Sequence, residues 1–266
     1  PAWEGPEFGE EPPPLTDRGA VPGVRAPTLA AVAERIVSLC LGHPVRVAVD
    51  GRTASGKTTF ADELACALGE RGKNVIRASV DGFHRPSAVR HRRGRLSPDG
   101  YYEDARDLEA VRDRLLDPLG PAGNRLFVTQ TFDLERDRPV EPEVQSAAAG
   151  TVLIVDGTFL QRPELRSAWD YVIFLDVPEE ARRRGVDRDS ALLGGHAGAS
   201  ELYSRRYGPA FARYELECRP VDRANVVIDN STCVSSAIVR TRQGRSRRPR
   251  SGSSSCGARG RPCSAR

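Results

Sequence analysis

The sequence predicts an α/β fold, a parallel sheet flanked by helices on both faces with a small lid, and three observations carry that prediction. Short apolar, β-rich runs alternate with stretches of helical periodicity, the pattern of parallel strands joined by crossover helices. Three of those runs end on an aspartate, Asp81, Asp156 and Asp176. In doubly wound sheets ligands gather beyond the carboxyl ends of the strands, so these carboxylates fall on the functional edge. The first run also leads directly into a glycine-rich loop and then a helical pattern, Gly51-Arg-Thr-Ala-Ser-Gly-Lys-Thr58.

Taken in order, Thr28 is placed to cap a helix whose buried face is Leu29, Val32, Ile36 and Leu39. Residues 45–49 form the first strand. After the glycine loop, Phe60, Leu64 and Leu68 mark the next helix, which Gly72 ends. Residues 75–80 read as a second strand closed by Asp81-Gly82, residues 84–100 as a basic, turn-rich loop, and residues 108–116 as a helix. The runs 151–155 and 171–175 are strongly apolar strands. Pro178 then starts a helix bearing an arginine cluster. Residues 194–199 are expected to be flexible, 201–218 helical, and 224–228 the last strand. No internal repeat is present.

This pattern divides the chain into a disordered lead (1–26), a folded domain (27–230) and a basic tail (231–266). The lead is rich in Pro, Gly and Glu, with little apolar surface to bury. It has neither the basic nor the apolar region of a signal peptide. The tail holds nine of the arginines and no acidic residue. The formal charge of +4 therefore hides a mildly acidic body, five charges negative, and a strongly basic end. Such a tail reads as disordered, either a shifted reading frame in an arginine-rich coding sequence or a genuine basic arm. No apolar run approaches the ~18 residues of a membrane span. The six cysteines form no CxxC pair, which argues against a zinc site or disulfide framework and for a reducing cytoplasm. Only Lys57 and Lys73 are lysines among 40 basic residues, so a lysine kept inside a motif stands out.

That lysine closes the phosphate-binding pattern GxxxxGK[ST]. Backbone N–H groups in such a loop converge on phosphate oxygens, and glycines stand where side chains would block the approach. The following helix aims its positive N-terminus at the same phosphates. Residues Gly51, Arg52, Thr53, Ala54, Ser55, Gly56, Lys57, Thr58 and Thr59 are thus the candidate ATP-binding segment, a P-loop. Lys57 is placed to reach the β and γ phosphates and the Thr58 hydroxyl to ligate Mg²⁺. Phosphoryl transfer to a hydroxyl needs a carboxylate for the acceptor proton and another near the metal. Asp81 is the candidate base and Asp156 joins Thr58 in the candidate metal shell; Asp176 reads as a turn or cap. Arg184 and Arg188, four apart on one helix face, are the candidate lid arginines that neutralise charge in the transition state, unless the cluster is a solvated basic face.

Together these residues resemble the uridine kinase and phosphoribulokinase family of P-loop NTPases, and most closely bacterial uridine kinases. The resemblance runs over about 45–230 and rests on the P-loop, Asp81-Gly-Phe-His84, Gly100-Tyr-Tyr-Glu-Asp-Ala105 with Asp107, Val155-Asp-Gly157, Phe174-Leu-Asp176, Tyr207-Gly-Pro-Ala-Phe211 and Ala224-Asn-Val-Val-Ile-Asp229. It implies that Asp81 is the base for a sugar 5′-hydroxyl, that Asp156 replaces the family's usual Glu in the metal shell, and that the arginine helix forms the lid. It departs where the family grips its acceptor. Tyr101 stands in place of the Asp that holds the ribose hydroxyls. Within 132–138, Phe132 replaces the Tyr and Asp137 the His that read the pyrimidine.

The reading is therefore an ATP- and Mg²⁺-dependent kinase of a small molecule, with the 5′-hydroxyl of uridine or cytidine as acceptor. A non-nucleoside acceptor, pantothenate or a sugar, is the alternative within the class. A nucleic-acid-binding protein is a different class, but the tail carries no aromatic residue to stack on bases, which leaves it only nonspecific phosphate contacts. A switch-type P-loop protein is a third, opposed by an acceptor-side carboxylate and a lid. No membrane partner is expected, and the sequence gives no oligomeric state.

Overall fold

The computed structural model describes residues 25–178, 181–191, 193–231 and 236–242. Helix α1 (Ala26–Val37) precedes β1 (Val45–Gly51), and α2 (Lys57–Gly69) leads to β2 (Val75–Ser79). A 3₁₀ turn (Val80–Phe83), the short α3 (Ser87–Arg90) and a π-helical turn (Gly100–Asp104) follow, then α4 (Leu108–Val111) with its π-helical extension (Arg112–Leu116). Four two-residue strands, β3 (Leu126–Phe127), β4 (Phe132–Asp133), β5 (Arg138–Pro139) and β6 (Gln145–Ser146), pair as β3–β6 and β4–β5. The chain then forms β7 (Val152–Gly157), β8 (Tyr171–Asp176), α5 (Ala181–Asp189) and α6 (Gly195–Leu202). A π-helical turn (Tyr203–Tyr207) joins α6 to α7 (Gly208–Cys218), and α8 (Pro220–Arg223), β9 (Val226–Asp229) and β10 (Ala237–Thr241) complete it.

Six strands form one sheet in the order β10-β9-β8-β1-β7-β2, parallel except for β10. Every residue of β1 and β7 is buried, because helices cover both faces; this is why their sequences read as continuous apolar runs rather than alternating ones. Successive side chains still point to opposite faces. Val45, Val47 and Val49 pack with Val32 and Ile36 of α1 and Phe60 and Leu64 of α2. Ala48, Leu153, Val155 and Phe174 pack on the other face with Leu115, Leu119, Phe211 and Tyr214. Truncating a side chain as buried as Leu64 to Ala would cost about 2–5 kcal/mol. The parallel register sets Asp156 beside Val49 on one side and Ser79 on the other. The ends of β1, β7 and β2 thus arrive level, and the residues that follow them share one edge.

The expected α/β architecture is present, with helices on both faces and a lid of α5 and α6. Val186, Ala199 and Tyr203 give that lid a small core, which rests on Ala54 of the glycine loop. Four expectations need correction. Thr28 lies inside α1, which starts at Ala26, rather than capping it. Residues 195–199 belong to α6 rather than a flexible stretch, because Gly194 takes the left-handed conformation (φ 81°) that lets the helix begin at Gly195. The 84–100 loop contains α3. The folded domain also extends beyond both boundaries drawn from sequence: Arg25 is buried, and β10 adds an antiparallel edge strand after Asn230. A strand of Ala-Ile-Val-Arg-Thr inside an arginine-rich stretch pairs through its backbone, a signal that tail composition hides. The remainder of the lead and tail lies outside the described residues.

Candidate active site

The glycine loop follows β1 and ends at the first turn of α2. Gly51 (φ 154°) and Gly56 (φ 80°) adopt conformations that a side chain would strain. A Cβ on Gly51 would stand 2.8 Å from both the Leu175 carbonyl oxygen and Ser55 Oγ, and one on Gly56 would stand 2.8 Å from Asn230 Nδ2. Beneath the loop, Asp50 is fully buried. Its carboxylate accepts hydrogen bonds from the Gly51 N–H (2.8 Å), Tyr214 OH (2.5 Å) and Gln161 Nε2 (3.1 Å), and burial raises its pKa despite them. Behind the loop, Asn230 Nδ2 donates to the Ser55 carbonyl at 2.7 Å. Asn230 Oδ1 accepts in turn from Arg25 Nη2 and from Ser236 Oγ.

A cavity of about 190 Å³ opens in front of the loop. Thr53, Ala54, Gly56, Lys57, Thr58 and Thr59 line it from the loop and α2, Asp156 from the end of β7, Asp81 from the turn after β2, and Arg188 from the lid. Lys57 Nζ donates to the Arg52 carbonyl at 2.7 Å, and desolvation lowers its pKa against the pull of the surrounding carboxylates. Thr58 Oγ1 donates to Asp156 Oδ2 at 2.8 Å, while Asp156 Oδ1 accepts from Arg77 Nη2 at 3.0 Å. A hydroxyl and a carboxylate side by side form an all-oxygen donor set of the kind Mg²⁺ takes when most of its other ligands are water and phosphate. No cluster of three or more His, Cys, Asp or Glu suited to a metal occurs among the described residues.

Asp81 faces this pair across the cavity. Arg106 Nη2 and Nε donate to its Oδ1 at 2.9 and 3.2 Å. Desolvation works against its charge, but Arg106 and His84 outweigh it and hold its pKa below the ordinary carboxylate value. His84, buried beside Arg106, is pushed down to about 4 and so stays neutral at physiological pH. Tyr101 completes this wall, with Arg106 5.2 Å from its ring centroid.

Not every residue singled out from sequence reaches the cavity. Arg52 turns away, lies 4.9 Å over the Phe211 ring and approaches Glu215 at 3.9 Å. It lines a separate cavity of about 430 Å³ with Thr53, Tyr207 and Phe211. Gly51 and Ser55 shape the loop without lining the cavity. Of the two lid arginines only Arg188 lines it, and its guanidinium is bonded to Asp189 at 2.6 and 3.0 Å. Asp137 bonds the Ser87 backbone N–H and Arg90, and Phe132 is buried in the β4–β5 pair. Arg106 was overlooked in sequence although it lies between the quoted Ala105 and Asp107. Asn230, Ser236 and Arg25 carry no local signal, since their meeting is a product of the sheet.

No protein-family model matches the chain. It is 29% identical over 188 residues to uridine-cytidine kinase B of Dictyostelium discoideum, covering 70% of this chain and 74% of that protein. It is 26% identical over 198 residues to a uridine kinase of Leuconostoc citreum, covering 70% and 87%. A possible uridine kinase from Bacillus stearothermophilus has the same fold, with a TM-score of 0.60 at 24% identity over 75% of this chain and 96% of that one. The chain is thus similar to uridine kinases and shares the fold of the P-loop kinases. It is an ATP-dependent phosphotransferase with an alcohol acceptor. The fold is shared more widely: D-glycerate 3-kinase of Cryptococcus neoformans var. grubii superposes with a TM-score of 0.52 at 10% identity, over 80% of this kinase and 98% of that chain. No helix among the described residues is long and apolar enough to cross a membrane.

Proposed function

We propose that the kinase transfers the γ-phosphoryl group of Mg-ATP to the hydroxyl of a small molecule held at Asp81. The observation that carries this reading is one cavity with Lys57, Thr58 and Asp156 on one wall and Asp81, Tyr101 and Arg106 on the other. The loop N–H groups and Lys57 would hold the phosphates, and the lysine's charge would offset what builds up on them. Thr58 and Asp156 would hold Mg²⁺, which neutralises phosphate charge when bound. Asp81 would orient the acceptor hydroxyl and take its proton as the oxygen bonds to phosphorus. Arg106 keeps that carboxylate ionised and aimed. Arg188 on the lid stands close enough to join the phosphates on closure.

Two acceptor readings follow. The names of the relatives support the 5′-hydroxyl of uridine or cytidine. The geometry favours the second, a non-nucleoside acceptor such as pantothenate or a sugar, because Asp137 is taken up by Ser87 and Arg90, Phe132 is packed away, and Tyr101 offers the cavity wall a ring. Incubation with Mg-ATP and a panel of nucleosides, pantothenate and small sugars, with product masses read out, tests the function. A phosphorylated acceptor is expected; ATP hydrolysis with every acceptor unmodified would replace the kinase reading by a switch-type one.

A further inference from the structure

Three arginines from distant parts of the chain gather around the acceptor wall. Arg90 comes from α3, Arg106 from the segment before α4, and Arg206 from the π-helical turn that follows the lid. Arg106 and Arg206 are 8% and 7% exposed, and their guanidinium carbons lie 5.2 and 5.1 Å from the Tyr101 ring centroid. Arg90 is offset by Asp137 and Arg106 by Asp81. Arg206 donates to the Arg95 carbonyl at 2.8 Å and sits over two tyrosine rings, but has no carboxylate partner among the described residues. The cluster therefore holds one positive charge more than it compensates. Burial lowers the Arg206 pKa, and the nearby charges of Arg90 and Arg106 press the same way.

The donors tell the same story. Among the described residues, six buried side-chain nitrogen or oxygen atoms have no hydrogen-bond partner, and three are Arg90 Nε, Arg106 Nη1 and Arg206 Nε. Buried donors are nearly always satisfied, so three orphans in one cluster call for acceptors from outside the chain, water or ligand. Arg90 and Arg206 do not line the cavity beside Lys57 and Thr58, so toward a ligand there they supply a positive field rather than a hydrogen bond. Arg106 does line it, with Nη2 on Asp81 and Nη1 unpaired.

We infer that the acceptor carries an oxyanion, a carboxylate or a phosphate, received by Arg106 Nη1 in the field of Arg206 and Arg90 while its hydroxyl meets Asp81. This rests on the kinase reading and on its non-nucleoside branch. A neutral ribose would leave the surplus charge buried without a counter-charge, which disfavours it as acceptor. An oxyanion on Arg106 would also tie acceptor binding to the group that aims the base.

Matched acceptor pairs test this with the full chain and Mg-ATP: D-glycerate against glycerol, pantothenate against pantothenol, ribose 5-phosphate against ribose, with uridine alongside. An anionic member should be phosphorylated with kcat/KM on the order of 10²-fold or more above its neutral partner, the responding pair separating carboxylate from phosphate. The Arg206→Gln variant should raise the KM for that acceptor on the order of 10-fold with the KM for ATP unchanged, and Arg206→Lys should recover part of it. A merely structural arginine would instead lower kcat/KM for charged and neutral acceptors alike, and that result overturns the inference. Uridine turned over as well as or better than every anionic member also overturns it, while leaving the kinase reading intact. If no acceptor is phosphorylated, calorimetric titration of the same compounds with Mg-ADP present decides, and anionic members binding no tighter than neutral ones end the proposal.

Discussion

The two walls of the cavity are built in different ways. The wall proposed to hold the nucleotide is almost contiguous in sequence: Thr53, Ala54 and residues 56–59 line it, and Asp156 joins them one strand away through the β1–β7 register. The acceptor wall draws Asp81, Tyr101 and Arg106 from separate segments, and the surrounding field draws Arg90 and Arg206 from farther still. A contiguous loop recognises a phosphate through its own backbone, so its chemistry is written into residue spacing. A wall assembled from distant side chains can change its ligand by single substitutions without touching the fold. That contrast is why the loop shows itself in residue spacing while the opposite wall shows itself only in side-chain geometry.

The sharpest way to break the contrast is to remove the lysine of the nucleotide wall. Lys57→Ala should lower turnover by on the order of 10²-fold or more, since in the proposed mechanism its ammonium would stabilise charge that grows on the phosphates. Circular dichroism should stay native, because among the described residues the Lys57 ammonium hydrogen-bonds to the Arg52 carbonyl of its own loop and not to a distant element. Activity retained in that variant would remove the loop from catalysis. On the opposite wall, Asp81→Asn keeps the shape and loses the proton acceptor, so turnover should fall by on the order of 10-fold to 10²-fold with ATP affinity preserved. If ATP affinity collapsed and turnover did not, Asp81 would belong with the metal instead.

Arg106 sharpens the comparison through pH. Its charge helps hold the Asp81 pKa below the usual carboxylate value, so in the native enzyme the acidic limb of kcat/KM should lie at low pH. Arg106→Gln removes that help and leaves desolvation, which raises the pKa, so the limb should move to higher pH. An unmoved limb would mean that the limb does not report Asp81. His84, at about 4, contributes no transition near neutrality.

Legibility followed the same division. The sheet was readable because β1, β7 and β8 are buried on both faces and so are apolar throughout. The loop was readable because glycine is required at Gly51 and Gly56. Arg106 was hidden among 40 basic residues, where one more arginine carries little information. Asp50 was noticed only as the end of a strand; that it is buried beneath the loop with Tyr214 depends on α7 crossing that face. The lid helix α6 was missed because Gly-Gly-His-Ala-Gly-Ala-Ser has weak intrinsic helical preference and gains its order by packing on α5.

The smallest expected effect concerns the far end of the fold, where composition pointed away from structure. Read from sequence, truncation after Asn230 should change nothing. The structure predicts a measurable loss, because Ser236 is buried and joins three partners: its Oγ accepts from Arg25 Nε and donates to Asn230 Oδ1, both at 2.7 Å, and its carbonyl accepts from Thr28 Oγ1 at 2.6 Å. Ending the chain at Asn230 removes β10 and leaves Arg25 and Thr28 short of an acceptor, at a cost of about 1–3 kcal/mol for each buried group left unpaired. In a domain of this size, each 1 kcal/mol lowers Tm by about 2–4 °C. The loop should feel it as well, since Asn230 Nδ2 holds the Ser55 carbonyl and its own orientation depends on Arg25 and Ser236. A rise of about twofold to fivefold in the KM for ATP is expected, and Ser236→Ala should give part of the Tm loss through about 1 kcal/mol of lost hydrogen bonding. If truncation left both Tm and KM unchanged, β10 and Ser236 would play no part in holding the loop, and the boundary read from sequence at Asn230 would stand.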